Sequence, residues 1–203
     1  MDDFQKSVFI EYFLNSIDLI CEKSNTDLVL DVFDSINQGF NLDKKTKEFK
    51  QTYLNPYKNL EERKIELAKD FFKKELLQIK KNLKPKEAQS YKTLKEVKRK
   101  NWLNNDQFKI LVYFDFAAKN YAYLKLIQAL EDAFEIEFLF MSTLLNISSK
   151  KIIQNFDRVF SKKLVEIKHY GSSKYIAYFT PFDKSVSAYK NYENIAYKYN
   201  KAV

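Results

Sequence analysis

The chain has 203 residues, 45% hydrophobic and 31% charged, with only 2 Gly and 3 Pro. That composition excludes a disordered chain and disfavours a strand-rich fold, which needs more turn residues. One Cys and one His exclude an internal disulfide and leave almost no material for a zinc site or a Cys-His catalytic pair, while a net charge of +8 favours an anionic partner.

The charge is unevenly placed. Residues 1–40 carry eight acids and two Lys, a net −6. Residues 73–100 carry eleven basic and three acidic groups, a net +8, and 148–203 carry eleven and four, a net +7. Arg occurs only at Arg63, Arg99 and Arg158. Lys, Asn, Ile, Phe and Tyr share AT-rich codons, so the placement of charge carries more weight than its total. The start, MDDFQKSVF, is acidic where a signal peptide would be basic, and no apolar run approaches a membrane span. The expectation is a cytoplasmic protein that engages no membrane.

In chain order, Phe4, Val8, Phe9, Tyr12, Phe13, Ile17 and Ile20 recur at three- and four-residue spacing and predict a helix over 3–22. Ser24 or Asn25 caps a second helix carrying Leu28, Val29, Val32, Phe33 and Ile36, ended by Asn37 and Gly39. A short third helix runs over 43–54 and stops before Pro56. A long charged helix over 59–83 follows, then a basic stretch over 84–104 that reads as a helix or a loose connector. Residues 109–116 fit a buried strand or a helix. The helix is preferred, because Asn104 or Asn105 can cap it and helical spacing continues past Ala117. Residues 121–134 read as a helix, and so do 182–203.

Between these last two lies the most informative stretch. Met141, Ser142, Thr143, Leu144, Leu145, Asn146, Ile147 and Ser148 set a small residue, Ser142, among apolar ones. Asn146 is the best non-Gly residue for a left-handed backbone. A helix from Ser149 to about Lys162 buries Ile152, Phe156 and Val159, with Ser148 as its cap. Then Val165, Ile167 and His169 alternate with Glu166, Lys168 and Tyr170, and Tyr175, Ala177 and Phe179 alternate beyond a Gly171-Ser172-Ser173 turn.

Over residues 121–180, under a third of the chain, this order of helix, turn, helix and hairpin resembles the winged helix-turn-helix DNA-binding superfamily. One departure is Lys163, where members of that superfamily often have Gly. The resemblance implies a mostly α protein: an N-terminal helical domain (1–83) for interaction or dimerisation, a basic connector (84–104), and a C-terminal winged helix-turn-helix with a β-hairpin wing and a final helix (105–203). It implies double-stranded DNA as partner, with Ser149, Lys150, Lys151, Gln154, Asn155 and Arg158 facing base edges. His169, Ser172, Ser173 and Lys174 would touch phosphate or the minor groove. Tyr170, Tyr175 and Tyr178 are the rings placed to meet a nucleic acid.

Lys95, Lys98, Arg99 and Lys100 are expected to make non-specific phosphate contacts. The acidic residues 1–40 would face a second copy or another protein. The expected function is a transcription regulator or a plasmid or phage replication or partition factor. The alternative is a non-enzymatic winged-helix subunit of a larger assembly, such as a partner of a chromosome-condensing or defence ATPase. No enzyme, cofactor or metal is expected. Asp43 with Glu48 and Lys50 resembles a nuclease pattern, but it falls on a predicted helix, and no phosphate-binding Gly loop is present.

Overall fold

The computed structural model describes residues 1–51, 61–120, 123, 125–127, 129–130, 139–161, 164–170 and 174–179. The chain divides into two compact units. The first comprises Met1–Pro85 and Tyr121–Ala133, the second Lys86–Asn120 and Phe134–Val203.

The first unit is built on α1 (Asp3–Lys23), α2 (Thr26–Phe40), α3 (Asp43–Phe49) and α4 (Glu61–Asn82). A capping box starts α1: the Gln5 amide donates to Asp2 at 2.9 Å and the Asp2 amide to the Gln5 side chain at 3.0 Å. Asn25 caps α2 by accepting from the Asp27 amide at 2.8 Å. The end of α2 comes at Asn41, with φ 54°, rather than at Asn37 and Gly39. The Asn37 side chain instead bridges into α3, accepting from Thr46 at 2.7 Å and donating to Asp43 at 2.6 Å.

Phe9, Phe13, Ile17 and Ile20 of α1, Val32 and Ile36 of α2, and Leu76 of α4 are fully buried. Phe33 stacks on Phe72 at 5.0 Å and Phe49 on Phe71 at 4.4 Å, so α4 is the surface on which α1 and α2 pack. Burying a side chain of this size contributes about 1.5–3 kcal/mol, which is why these positions dominate the unit.

The second unit holds α5 (Gln89–Lys100), α6 (Asn105–Lys119), α7 (Leu139–Leu145) and α8 (Ser149–Ser161), followed by β1 (Val165–Tyr170) and β2 (Lys174–Phe179). Of the two readings of 109–116, the helix is the one found. Asn104 caps α6, accepting from the Gln107 amide at 2.8 Å, while Gln107 accepts the Asn104 amide at 3.0 Å. β1 and β2 pair antiparallel, Val165 opposite Phe179 and Tyr170 opposite Lys174. α6 and α7 both pack on α8, with β1 against α8 and β2 against α6.

The expected fold class is corrected. The described residues are mostly helical, but the chain is not an N-terminal helical domain followed by a separate winged helix-turn-helix. The helix expected over 121–134, which would open the winged helix, contributes to the first unit. There Tyr123 packs on Tyr12 at 5.4 Å, Lys125 pairs with Asp31 at 2.7 Å, and the Ala129 carbonyl accepts from the Ser24 hydroxyl at 2.5 Å. A wing with a DNA-touching tip is not seen among the described residues. What is described there is the backbone ladder of β1 and β2, and the turn at 171–173, Lys163 and the helix expected over 182–203 lie outside the described residues.

Candidate nucleic-acid interface

The turn between α7 and α8 is built as its residues suggest. Asn146 takes φ 48°, a backbone most residues avoid and Asn tolerates. Its amide donates to the Thr143 carbonyl at 3.3 Å and the Ile147 amide to the Ser142 carbonyl at 3.2 Å, a Schellman end. The Ser142 hydroxyl donates to the Ile147 carbonyl at 2.8 Å, so the small residue also clamps the turn. Lys109 of α6 donates to the Leu145 carbonyl at 3.0 Å and brings a cation to the negative end of α7. Met141, Leu144, Leu145 and Ile147 are buried beneath.

This anchoring fixes which way α8 faces. Ile152 and Val159 are fully buried, while Lys150, Lys151, Gln154 and Arg158 are exposed. Lys150, Gln154 and Arg158 recur every four residues and form one outward stripe. Lys151 has its ammonium 4.0 Å from Asp106 and remains 63% exposed. Ser149 is half-buried at the start of the helix.

Asn155 is engaged within the chain. Its amide donates to the Lys151 carbonyl at 2.8 Å, and its oxygen accepts from Asn104 at 3.0 Å. Both ends of the amide are engaged, so Asn155 ties α8 to the cap of α6. Sequence spacing did not single out Ile153, which lies 59% exposed beside the stripe.

His169 is placed as a β1 position opposite Tyr175, and Lys174 as the β2 position opposite Tyr170. Ser172 and Ser173 lie outside the described residues.

The basic block over 73–100 is divided between the two units. Lys73 donates to Asp18 at 2.7 and 2.8 Å within the first unit, and Lys69 sits 3.3 Å from the same carboxylate. Hydrogen bonding from Lys73, with Lys69 beside it, holds the Asp18 carboxyl below its usual range. The acids of residues 1–40 are thus partly committed: Asp2 caps, Asp3 accepts the Lys84 amide at 2.9 Å, Asp18 holds Lys73, and Asp31 holds Lys125.

The share of the block in the second unit, residues 86–100, has six basic and two acidic groups, a net +4. Lys95 lies over the Tyr91 ring at 5.7 Å. Lys98 donates to Asn105 at 2.5 Å and lies over Phe108 at 5.2 Å. Lys100 pairs with Glu96 at 2.7 Å and holds that carboxyl below its usual range. Arg99 is exposed.

The residue that sequence reasoning passed over is Trp102, 81% exposed at the end of α5. The available signal was a lone Trp inside the polar run KRKNWLNN. Cys21 is half-buried, and burial pushes its thiol up to about 11, which leaves it protonated at neutral pH. Among the described residues no group of three His, Cys, Asp or Glu is placed to hold a metal ion. No helix among them is long and apolar enough to cross a membrane.

Comparison with protein-family models, curated proteins and solved structures finds no match to this chain.

Proposed function

We propose that the chain binds double-stranded DNA through the outer face of α8. The observation that carries this reading is the stripe Lys150, Gln154 and Arg158, exposed on a helix whose opposite face is buried through Ile152 and Val159. A helix held in this way fits the major groove, where Gln can pair bidentately with adenine and Arg or Lys with guanine. Ile153 would meet a thymine methyl. Lys95, Arg99 and their neighbours on α5 supply charge for backbone phosphates. Regulation of transcription, or replication or partition of a plasmid or phage, is the kind of role this chemistry serves.

A protein-docking reading has one observation in its favour, the exposure of Ile153 within the same face. For self-association through residues 1–40 the available surface is narrow. The apolar faces of α1 and α2 are buried, and what remains is the outer side of α2, where Leu30 is 47% exposed among Asp27, Asp31 and Asp34.

The test uses a duplex selected from a random-sequence pool and followed by fluorescence anisotropy. Gln154→Ala and Arg158→Ala should each weaken binding to the selected site by about 1–3 kcal/mol. Unchanged affinity in both variants refutes the α8 assignment.

A further inference from the structure

We propose that Trp102 is a stacking platform for an unpaired nucleobase, with the flanking phosphates held by the basic end of α5. The inference shares a partner class and the basic residues of α5 with the α8 reading, but it rests on Trp102 and on another form of nucleic acid.

The backbone at Trp102 is the first observation. Among the described residues three non-Gly residues have positive φ: Asn41 at 54°, Trp102 at 53° and Asn146 at 48°. All three sit at the same position of a Schellman helix end. At Trp102 its own amide donates to the Arg99 carbonyl at 3.3 Å, and the Leu103 amide donates to the Lys98 carbonyl at 3.0 Å. Asn is tolerated there because its short side chain adapts to a left-handed backbone, whereas a bulky residue is an outlier.

The conformation is imposed by the residues around it. Leu94, Val97 and Leu103 are buried at 3%, 1% and 5% exposure, so the core takes Leu103 inward and the turn throws Trp102 outward. An indole at 81% exposure buries little apolar surface in return for the strained backbone. Packing among the described residues therefore does not account for a Trp at this position.

The surroundings are the second observation. Trp102 borders an open groove with Lys92, Lys95, Arg99, Leu103 and Asn104. Between Lys92 and Lys100 there are five basic residues and one acid, and that acid, Glu96, is paired with Lys100. A ligand complementary to this groove carries negative charges at intervals and a flat ring between them. Single-stranded nucleic acid has both, and its bases are free to leave their neighbours and stack on an aromatic side chain. In a duplex the bases are already stacked. A purely acidic peptide such as polyglutamate has the charge and lacks the ring.

Trp102 is the one Trp of the chain, so its fluorescence reports on this site alone. The full chain is titrated at low salt with an oligothymidylate of about twelve nucleotides, with anisotropy of a labelled copy followed in parallel. Saturable quenching of Trp102 that tracks the anisotropy is expected. Trp102→Ala should weaken binding roughly tenfold, since stacking on one aromatic residue carries that order of affinity. Trp102→Phe should recover part of the loss.

Absence of oligothymidylate binding overturns the proposal, as does binding without quenching or unchanged affinity in Trp102→Ala. Equal quenching by polyglutamate overturns it in favour of an acidic protein partner. Because Trp102 is exposed, these variants should keep the wild-type circular dichroism. A chain carrying Gln154→Ala and Arg158→Ala should retain the quenching. Quenching without duplex binding therefore defeats the α8 reading alone, and duplex binding without quenching defeats this one alone.

Discussion

Asn104 does two things at once, and two substitutions separate them. It caps α6 by accepting from the Gln107 amide at 2.8 Å, and its own amide donates to Asn155 of α8 at 3.0 Å. Asn104→Ala removes both. Loss of an N-cap costs about 1 kcal/mol, and loss of a partly exposed hydrogen bond adds about 0.5 kcal/mol, so the expected total is about 1–2 kcal/mol. Asn104→Asp keeps an oxygen for the cap and adds a negative charge at the helix start, which is favourable there. It cannot donate to Asn155. It should therefore recover most of the stability while leaving α8 less firmly held, seen as a loss of duplex affinity out of proportion to the loss of stability. Urea unfolding followed by far-ultraviolet circular dichroism gives the first quantity and anisotropy the second. Two results refute the reasoning: Asn104→Ala with wild-type stability, or Asn104→Asp as unstable as Asn104→Ala.

Leu76 of α4 is fully buried, so Leu76→Ala should cost about 2–5 kcal/mol in urea unfolding. Removing residues 1–40 takes Phe9, Phe13, Ile17 and Phe33 from that core, and should abolish the helical signal of the first unit rather than selectively end self-association; a truncated chain with native helix content contradicts this. Asp18 has a lowered carboxyl pKa, so its pairing with Lys73 and Lys69 contributes above the unfolded carboxylate value of about 3.9 and is lost as pH falls through the lower folded value. The carboxylate is 67% exposed, so Asp18→Asn should cost about 1 kcal/mol or less at neutral pH and nothing once the carboxylate is protonated, as unfolding at the two pH values would show. Cys21, with its thiol pushed up to about 11, should react far more slowly with a thiol reagent at neutral pH in the folded chain than in urea.

Local structure was readable in the residues because its causes are local. Helical spacing in α1 and α2 names the buried faces, and Asn25, Asn104 and Asn146 mark helix ends with side chains suited to those backbones. Long-range choices were not readable in this way. The spacing over 121–134 says that one face is buried, and nothing in it says that Tyr123 meets Tyr12 rather than α8. Asp18 reads as a free surface acid until Lys73, 55 residues away, is brought to it. The sequence does not show that the Asn155 oxygen accepts from Asn104, 51 residues away. Trp102 was missed because the surrounding polar run resembles a connector, while the burial of Leu103 that turns the indole outward is a tertiary effect.

On the proposed function the second unit grips nucleic acid electrostatically and reads it with α8, so duplex binding should depend steeply on salt. If Lys95, Arg99, Lys150, Lys151 and Arg158 neutralise about four or five phosphates, the slope of log affinity against log salt is about −4. Affinity for a random-sequence duplex should then fall on the order of 100-fold between about 50 and 200 mM salt. No measurable binding at the lower salt, or binding that salt does not weaken, would contradict the account.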